Sequence, residues 1–334
     1  MVLTRTAPKP MNDTFSRQVD YLRLSITDRC NEKCLYCMPQ GYKGWQLKQD
    51  PLEARDFVRI CQVAADLGFT KFRLTGGEPL LRKDVVEIAT GIRAVPGVQT
   101  LGISTNGTRL SRLASDLHHA GVQSLNISLD ALDPLIYHQI TGGDVASVLA
   151  GIEGALKTGL GRIKLNCVLM RDVNEGELWP LAQYAARLGL PLRFIELMPL
   201  TSREVLSSRK FMSIHDAMCL LQAKDALLPE PGARLGNGPA VYYRLQNTGG
   251  IVGFIGAMTN LHFCDACNKM RITADGKIRP CLGDHGEIDL QAALKEDSNA
   301  GLRDKFLDAL RLKPKEHLFR SEYLPQRPMT AIGG

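Results

Sequence analysis

Six of the nine cysteines stand in two trios, Cys30-x3-Cys34-x2-Cys37 and Cys264-x2-Cys267-x13-Cys281. Thiolates crowded into one loop suit soft metals. Structural zinc takes four closed ligands, and neither trio has an obvious fourth cysteine beside it. A [4Fe–4S] cluster is held by thiolates, and three of them leave one iron open to a further ligand. His262 and His285 flank the second trio, so on spacing alone zinc competes there. Met1–Ser16 is polar and lacks the apolar core of a secretory signal, which argues against a disulfide framework. Cys61, Cys167 and Cys219 stand singly in apolar surroundings and are expected to be small buried hydrophobes.

Something must hold these trios. Six β-rich segments recur at Tyr21–Asp28, Lys71–Thr75, Thr100–Thr105, Ser124–Asp130, Arg162–Met170 and Pro191–Pro199, and amphipathic stretches separate them. Strand–helix alternation predicts an α/β fold of parallel βα units: a partial (β/α)6 barrel of TIM type, with an open doubly wound sheet as the alternative. The first trio follows the first strand, where barrel enzymes place catalytic groups. Several strands alternate. Arg23, Ser25 and Thr27 share one face, and Arg73 with Thr75, Asn126 with Ser128, and Lys164 with Asn166 repeat the pattern. A polar face enclosed by strands must be hydrogen-bonded or wet, so the lumen is expected to hold a polar ligand.

From about Pro199 the rhythm breaks. A polar loop (Thr201–Lys210) leads to a helix near Ser213–Leu228, strands at Val241–Leu245 and Ile251–Ile255, helices at Asp289–Lys295 and Leu302–Leu312, and the terminal Gly333–Gly334. The expected organisation is a flexible N-terminal segment (1–19), a partial barrel (20–199) and an α+β extension (200–334) carrying the second trio. A net charge of +6 is dispersed without a basic stripe, so a nucleic-acid partner is not expected. No apolar run approaches the roughly 18 residues of a membrane span, and a cytoplasmic location is expected.

The first trio, with Tyr36 before its last cysteine, resembles the signature of the radical S-adenosylmethionine (SAM) superfamily. That resemblance implies an open iron that binds SAM, with Tyr36 beside the adenine. Thr75-Gly76-Gly77-Glu78-Pro79 resembles the superfamily's SAM-binding segment, and the likeness extends to Ser128 and Met198 as SAM contacts. Further stretches narrow the family: Asp28-Arg29-Cys30-Asn31, Ser104-Thr105-Asn106-Gly107, Val168-Leu169-Met170-Arg171-Asp172, Arg193-Phe194-Ile195-Glu196-Leu197-Met198 and Cys267-Asn268-Lys269-Met270-Arg271. Together they resemble the GTP 3′,8-cyclase family of molybdenum cofactor biosynthesis, over nearly the whole chain.

The resemblance implies a lyase with two [4Fe–4S] clusters and SAM as cofactors. GTP is the implied substrate, contacted by Arg23, Arg73, Ser104, Lys164, Lys269, Met270 and Arg271, with Lys71 and Arg193 as further phosphate partners. A 5′-deoxyadenosyl radical would take the 3′ hydrogen of GTP, C3′ would close onto C8, and one further electron with a proton, the second cluster binding the base and assisting this final reduction, would give 3′,8-cyclo-7,8-dihydro-GTP. Also implied are a Gly-Gly tail (Gly333, Gly334) reaching the active site, a homodimer, an external one-electron reductant, and transfer of product to cyclic pyranopterin monophosphate synthase. No catalytic acid or base is assigned. Ser104 replaces the family's usual threonine and keeps the hydroxyl; Lys269 replaces an arginine and loses the planar fork. Strict alternation puts Arg193 and Met198 on opposite faces of one strand. The competing readings are another radical SAM enzyme with an auxiliary cluster, such as a peptide maturase, and a non-enzymatic metal-binding scaffold.

Overall fold

Short strands alternating apolar with polar residues, each trailed by an amphipathic stretch, set the strand–helix rhythm of the chain. The computed structural model describes residues 11–38, 52–200, 209–232, 235–236, 238–321 and 323–333. Its first element is a hairpin of β1 (Met11–Asn12) and β2 (Gln18–Val19). The units that follow are β3 (Tyr21–Ser25) with α1 (Ala54–Asp66), β4 (Lys71–Thr75) with α2 (Val85–Ala94), and β5 (Thr100–Thr105) with α3 (Leu110–His119). Next come β6 (Ser124–Ser128) with α4 (Pro134–Thr141) and α5 (Val145–Leu156), β7 (Arg162–Leu169) with α6 (Leu178–Arg187), and β8 (Leu192–Glu196) with α7 (Ile214–Gln222). The remainder holds β9 (Leu227–Pro229), β10 (Val241–Leu245), β11 (Ile251–Ile255), β12 (Lys269–Ile272), β13 (Lys277–Arg279), β14 (Ile288–Asp289), α8 (Gln291–Lys295), α9 (Ala300–Arg311) and α10 (Met329–Ile332). No helix among the described residues is long and apolar enough to cross a membrane.

From β9 onward the chain is woven into the sheet rather than laid upon it. The strand order is β14-β13-β12-β3-β4-β5-β6-β7-β8-β11-β10-β9. The strand β12 lies parallel to β3, and β11 parallel to β8, so the parallel array widens at both edges. The order has two ends, and the sheet does not close on itself. One face is apolar: Leu22, Leu24, Phe72, Leu74, Leu101, Ile103, Leu125 and Ile127 are buried against Phe57, Ile60, Ile88, Leu117 and Val148 of the helices. Burying each such side chain contributes about 1.5–3 kcal/mol. A capping box between Glu53 and Asp56 starts α1, and Ser213 with Asp216 starts α7.

Several expectations are corrected. Residues 11–19 are a hairpin rather than a flexible lead-in: buried Arg17 is ion-paired to Asp13 at 2.6 Å and bonded to distant carbonyls. The helix expected to reach Leu228 stops at Gln222, and Leu227 and Leu228 pair with β10 instead. Cys61 and Cys167 are buried, but Cys219 is exposed, because α7 buries Ala217 and Leu221 and turns Cys219 to the other side. The strand β8 ends at Glu196, so Met198 lies beyond the sheet and is released from the alternation that governs Arg193.

Candidate active site

The first trio occupies the loop after β3, at the C-terminal ends of the strands. Lys33 N–H donates to Thr141 O at 2.7 Å and Leu35 N–H to Ile140 O at 2.9 Å, so the end of α4 anchors the loop with carbonyls that a helix leaves free. A turn brings Cys37 N–H to Cys34 O at 2.9 Å. The neighbouring loop after β4 is tied to it backbone to backbone, Gly77 N–H to Thr27 O at 2.8 Å and Glu78 N–H to Arg29 O at 2.7 Å. This contact explains the paired glycines: a Cβ on Gly77 would overlap the Arg29 carbonyl, and Gly76 has φ +153° with no room beside Thr27. Glu78 then accepts from Asn106 N–H (2.6 Å), Thr105 Oγ1 (2.7 Å) and Leu80 N–H (2.9 Å); burial nonetheless pushes its carboxyl up to about 7. Tyr36 Oη donates to Asp130 at 2.7 Å, and the other Asp130 oxygen accepts from Val168 N–H at 2.8 Å. Ser128 and Gly77 lie at strand ends on this side. Met198, past β8, packs against Leu200, Phe319 and Tyr323.

The opposite sheet face carries the cations. Register sets Arg271, Arg23 and Arg73 abreast on β12, β3 and β4. Lys164 and Arg193 come from β7 and β8, and Lys269 lies two residues before Arg271. Arg73 donates to Tyr21 Oη (2.5 Å), Ile103 O (2.7 Å) and Ser124 Oγ (2.9 Å). Gly102 makes this possible, since a Cβ there would come 2.6 Å from Arg73 Nη2. Arg193 donates to Asn166 at 2.9 Å. Burial, followed by mutual repulsion among the cations, pushes Lys164 down to about 7 and holds Arg193 below the ordinary value. Burial likewise lowers Arg23 to about 10 and Arg271 to about 9. Tyr21, pushed up by burial but more strongly down by Arg73, Arg23 and Lys269, ends below its usual value. Asn126, opposite Ser104 and Lys164 in register, has a buried Oδ1 with no hydrogen-bond partner among the described residues. A face of repelling cations with an orphaned polar atom fits a large polyanionic ligand.

Two expected contacts are engaged elsewhere. Lys71 is ion-paired with Asp20 at 2.7 Å, and Asp20 also accepts from Asn268. Met270 is fully buried in the apolar core, because alternation along β12 turns it away from Lys269 and Arg271.

The second trio lies at the other end of the strands. Cys267 lies two residues before β12, which runs parallel to β3; β13 returns antiparallel, so Cys281 comes back to the same end. Cys267 N–H donates to Cys264 O at 3.0 Å, and the three thiols act electrostatically on one another, as do those of the first trio. Burial pushes Cys37 up to about 12 and Cys34 and Cys30 well above their ordinary value. Cys264 and Cys281 are also raised by burial, whereas Cys267 is lowered, Lys313 and Lys269 outweighing its desolvation. Buried thiols of this kind ionise when a positively charged metal group takes them, and an iron–sulfur cluster meets that demand at both trios. Among the described residues no three His, Cys, Asp or Glu side chains form a group that could hold a single metal ion. His262 is exposed and paired with Asp265, and His285 is stacked on Tyr323 at 4.7 Å.

The C-terminal segment enters the polar side of the sheet. Arg271 donates to Gly333 O, Ala274 N–H donates to Ala331 O at 3.2 Å, and a Cβ on Gly333 (φ +80°) would overlap Thr75 Oγ1. Gly334 lies outside the described residues. Sequence reasoning missed Tyr21 and Gly102. An aromatic two residues before Arg23, and a glycine inside a strand, were the available signals.

The model of the Radical SAM superfamily matches residues 24–185, and that of Molybdenum Cofactor Synthesis C matches residues 190–319. A GTP 3′,8-cyclase of Pelotomaculum thermopropionicum is 40% identical over 328 residues, spanning 97% of this chain and 100% of that protein. One from Moorella thermoacetica is 41% identical over 326 residues, with coverage of 97% and 100%. Among solved structures, Streptococcus suis SuiB bound to precursor peptide SuiA is similar at a TM-score of 0.63 and 15% identity, over 92% of this chain and 68% of that one. Native anSMEcpe with bound AdoMet is similar at 0.61 and 16%, over 90% and 82%. At such identities these two structures speak to the fold alone.

Proposed function

The chain belongs to the GTP 3′,8-cyclases, the radical SAM enzymes of molybdenum cofactor biosynthesis, and from that membership we propose how its residues divide the work. Cys30, Cys34 and Cys37 hold a [4Fe–4S] cluster, with Tyr36, Gly77, Ser128 and Met198 around SAM. Cys264, Cys267 and Cys281 hold a second cluster at the far end. GTP lies between them, its triphosphate met by Arg23, Arg73, Lys164, Arg193, Lys269 and Arg271. Ser104 and Asn126 face the nucleoside. The observation that carries this reading is the row of mutually repelling cations on one sheet face, with a thiol trio beyond each end of the strands. Lys71 is left out, since Asp20 already neutralises it.

When bound, the reduced first cluster and SAM would supply the one-electron chemistry that removes the 3′ hydrogen of GTP, and after C3′ bonds to C8 an electron from the external reductant and a proton would quench the remaining radical. The chain's own part is positioning and shielding. Arg73, fixed by three acceptors, presents a rigid guanidinium plane. Asp130 fixes the ring of Tyr36. The C-terminal segment fills space on the open side and excludes water, which would otherwise permit side reactions. Family membership also supports a homodimer, an external one-electron reductant, a cytoplasmic location and delivery of product to cyclic pyranopterin monophosphate synthase; sedimentation and co-purification test these. The decisive test is anaerobic turnover with 3′-deuterated GTP. Deuterium should appear in 5′-deoxyadenosine, and its absence would overturn the assignment of GTP to this lumen.

A further inference from the structure

Just beyond the C-cap of α9 (Leu312) stands a lysine whose side chain turns inward. Lys313 is 3% exposed, and its ammonium donates to Cys267 Sγ at 3.5 Å, Lys269 O at 2.7 Å and Pro280 O at 2.9 Å. These acceptors lie on the two segments that carry Cys267 and Cys281. The two residues after Lys313 are gripped in turn: Arg17 donates to Pro314 O (2.6 Å) and Lys315 O (2.7 Å), and to Cys264 O at 3.1 Å. One short stretch, 313–315, is thereby laced to all three cysteine segments.

We propose that Lys313 is a positioning residue of the second cluster: it locks the Cys267 and Cys281 segments in register and donates a charge-assisted hydrogen bond to a ligand sulfur. The inference rests on the two-cluster reading above. Reduction potentials of iron–sulfur centres depend on hydrogen bonds to sulfur and on nearby charge, and residues behind the ligands orient them. A cation on a ligand sulfur stabilises the cluster state that carries the extra electron.

The test uses reconstituted full-length protein, with iron content and potentiometric electron paramagnetic resonance as readouts. In Lys313→Met the second cluster should either be lost while the first remains, or titrate at a more negative midpoint with the first cluster's midpoint unmoved. Two buried carbonyls lose their donor in that variant. Should it fail to fold, Lys313→Gln, which keeps two N–H donors but no charge, carries the test and should show the same negative shift. A folded variant with both clusters at wild-type midpoints would overturn the role of Lys313. Wild-type protein that binds only one cluster would instead overturn the two-cluster reading.

Discussion

Raising the pH from about 7 to about 8.5 should weaken GTP binding through Lys164. Its ammonium is buried on the polar sheet face, where burial and then Arg193, Arg73 and Arg162 depress its pKa to about 7 from 10.5. In the ligand-free protein the side chain is therefore about half protonated at pH 7 and about one part in thirty protonated at pH 8.5. A triphosphate beside it restores the charge, so binding takes up a proton, and affinity falls as pH rises while the bound lysine stays charged. The loss over this interval is about fifteenfold, or about 1.6 kcal/mol. Anaerobic calorimetry with SAM present and no reductant, in two buffers of different ionisation enthalpy, measures both the affinity and the proton uptake. In Lys164→Met the extra pH slope should vanish, leaving only the ionisations of the nucleotide itself. Parallel slopes in the two proteins, or no proton uptake by the wild type, would refute the argument.

Gly77→Ala should lower stability by about 1–3 kcal/mol or more, because the added methyl meets backbone that cannot yield; thermal melting and loss of first-cluster iron report it. Tyr36→Phe removes the donor from buried Asp130 at a cost of about 1–3 kcal/mol and should raise the KM for SAM, with the dissociation constant for GTP unchanged. Cys264→Ala should reduce bound iron from two clusters to one while dithionite-driven SAM cleavage persists. Cys61→Ser should destabilise the protein and Cys219→Ser should not, a contrast set by burial and read from chemical denaturation.

Much of the site was legible because its signals are local. Thiol spacing, a glycine pair and period-two alternation need no knowledge of what lies across the sheet, so Cys30, Gly77, Arg23, Arg73 and Lys164 could be singled out. The rest depended on partners distant in sequence. The segment Lys269–Ile272 is four residues long and becomes a strand through its pairing with β3. Once paired, it turns Lys269 and Arg271 inward and Met270 outward. Lys71 had the right face and the right charge, and its ion pair with Asp20, just before β3, takes it away. Arg17 and Lys313 carry no local signal of burial in the sequence. Their burial comes from carbonyls that a helix end and two cysteine loops expose together. Cys219 shows the reverse error: apolar neighbours in sequence do not say which side of a helix faces inward.

The strand β3 touches both ends of the molecule. Past Ser25 the chain runs into the first cysteine loop, while Asp20 and Tyr21 bond to Asn268, the neighbour of Cys267. At about 3.3 Å per residue, five residues of extended backbone act as a gauge block of roughly 17 Å between the two cysteine regions. Deleting one residue would draw them together by a single step and invert every later side chain of that strand, sending Arg23 into the apolar layer and Leu24 onto the cationic face. Separation and polarity are thus written in the same few letters, and neither can drift without the other.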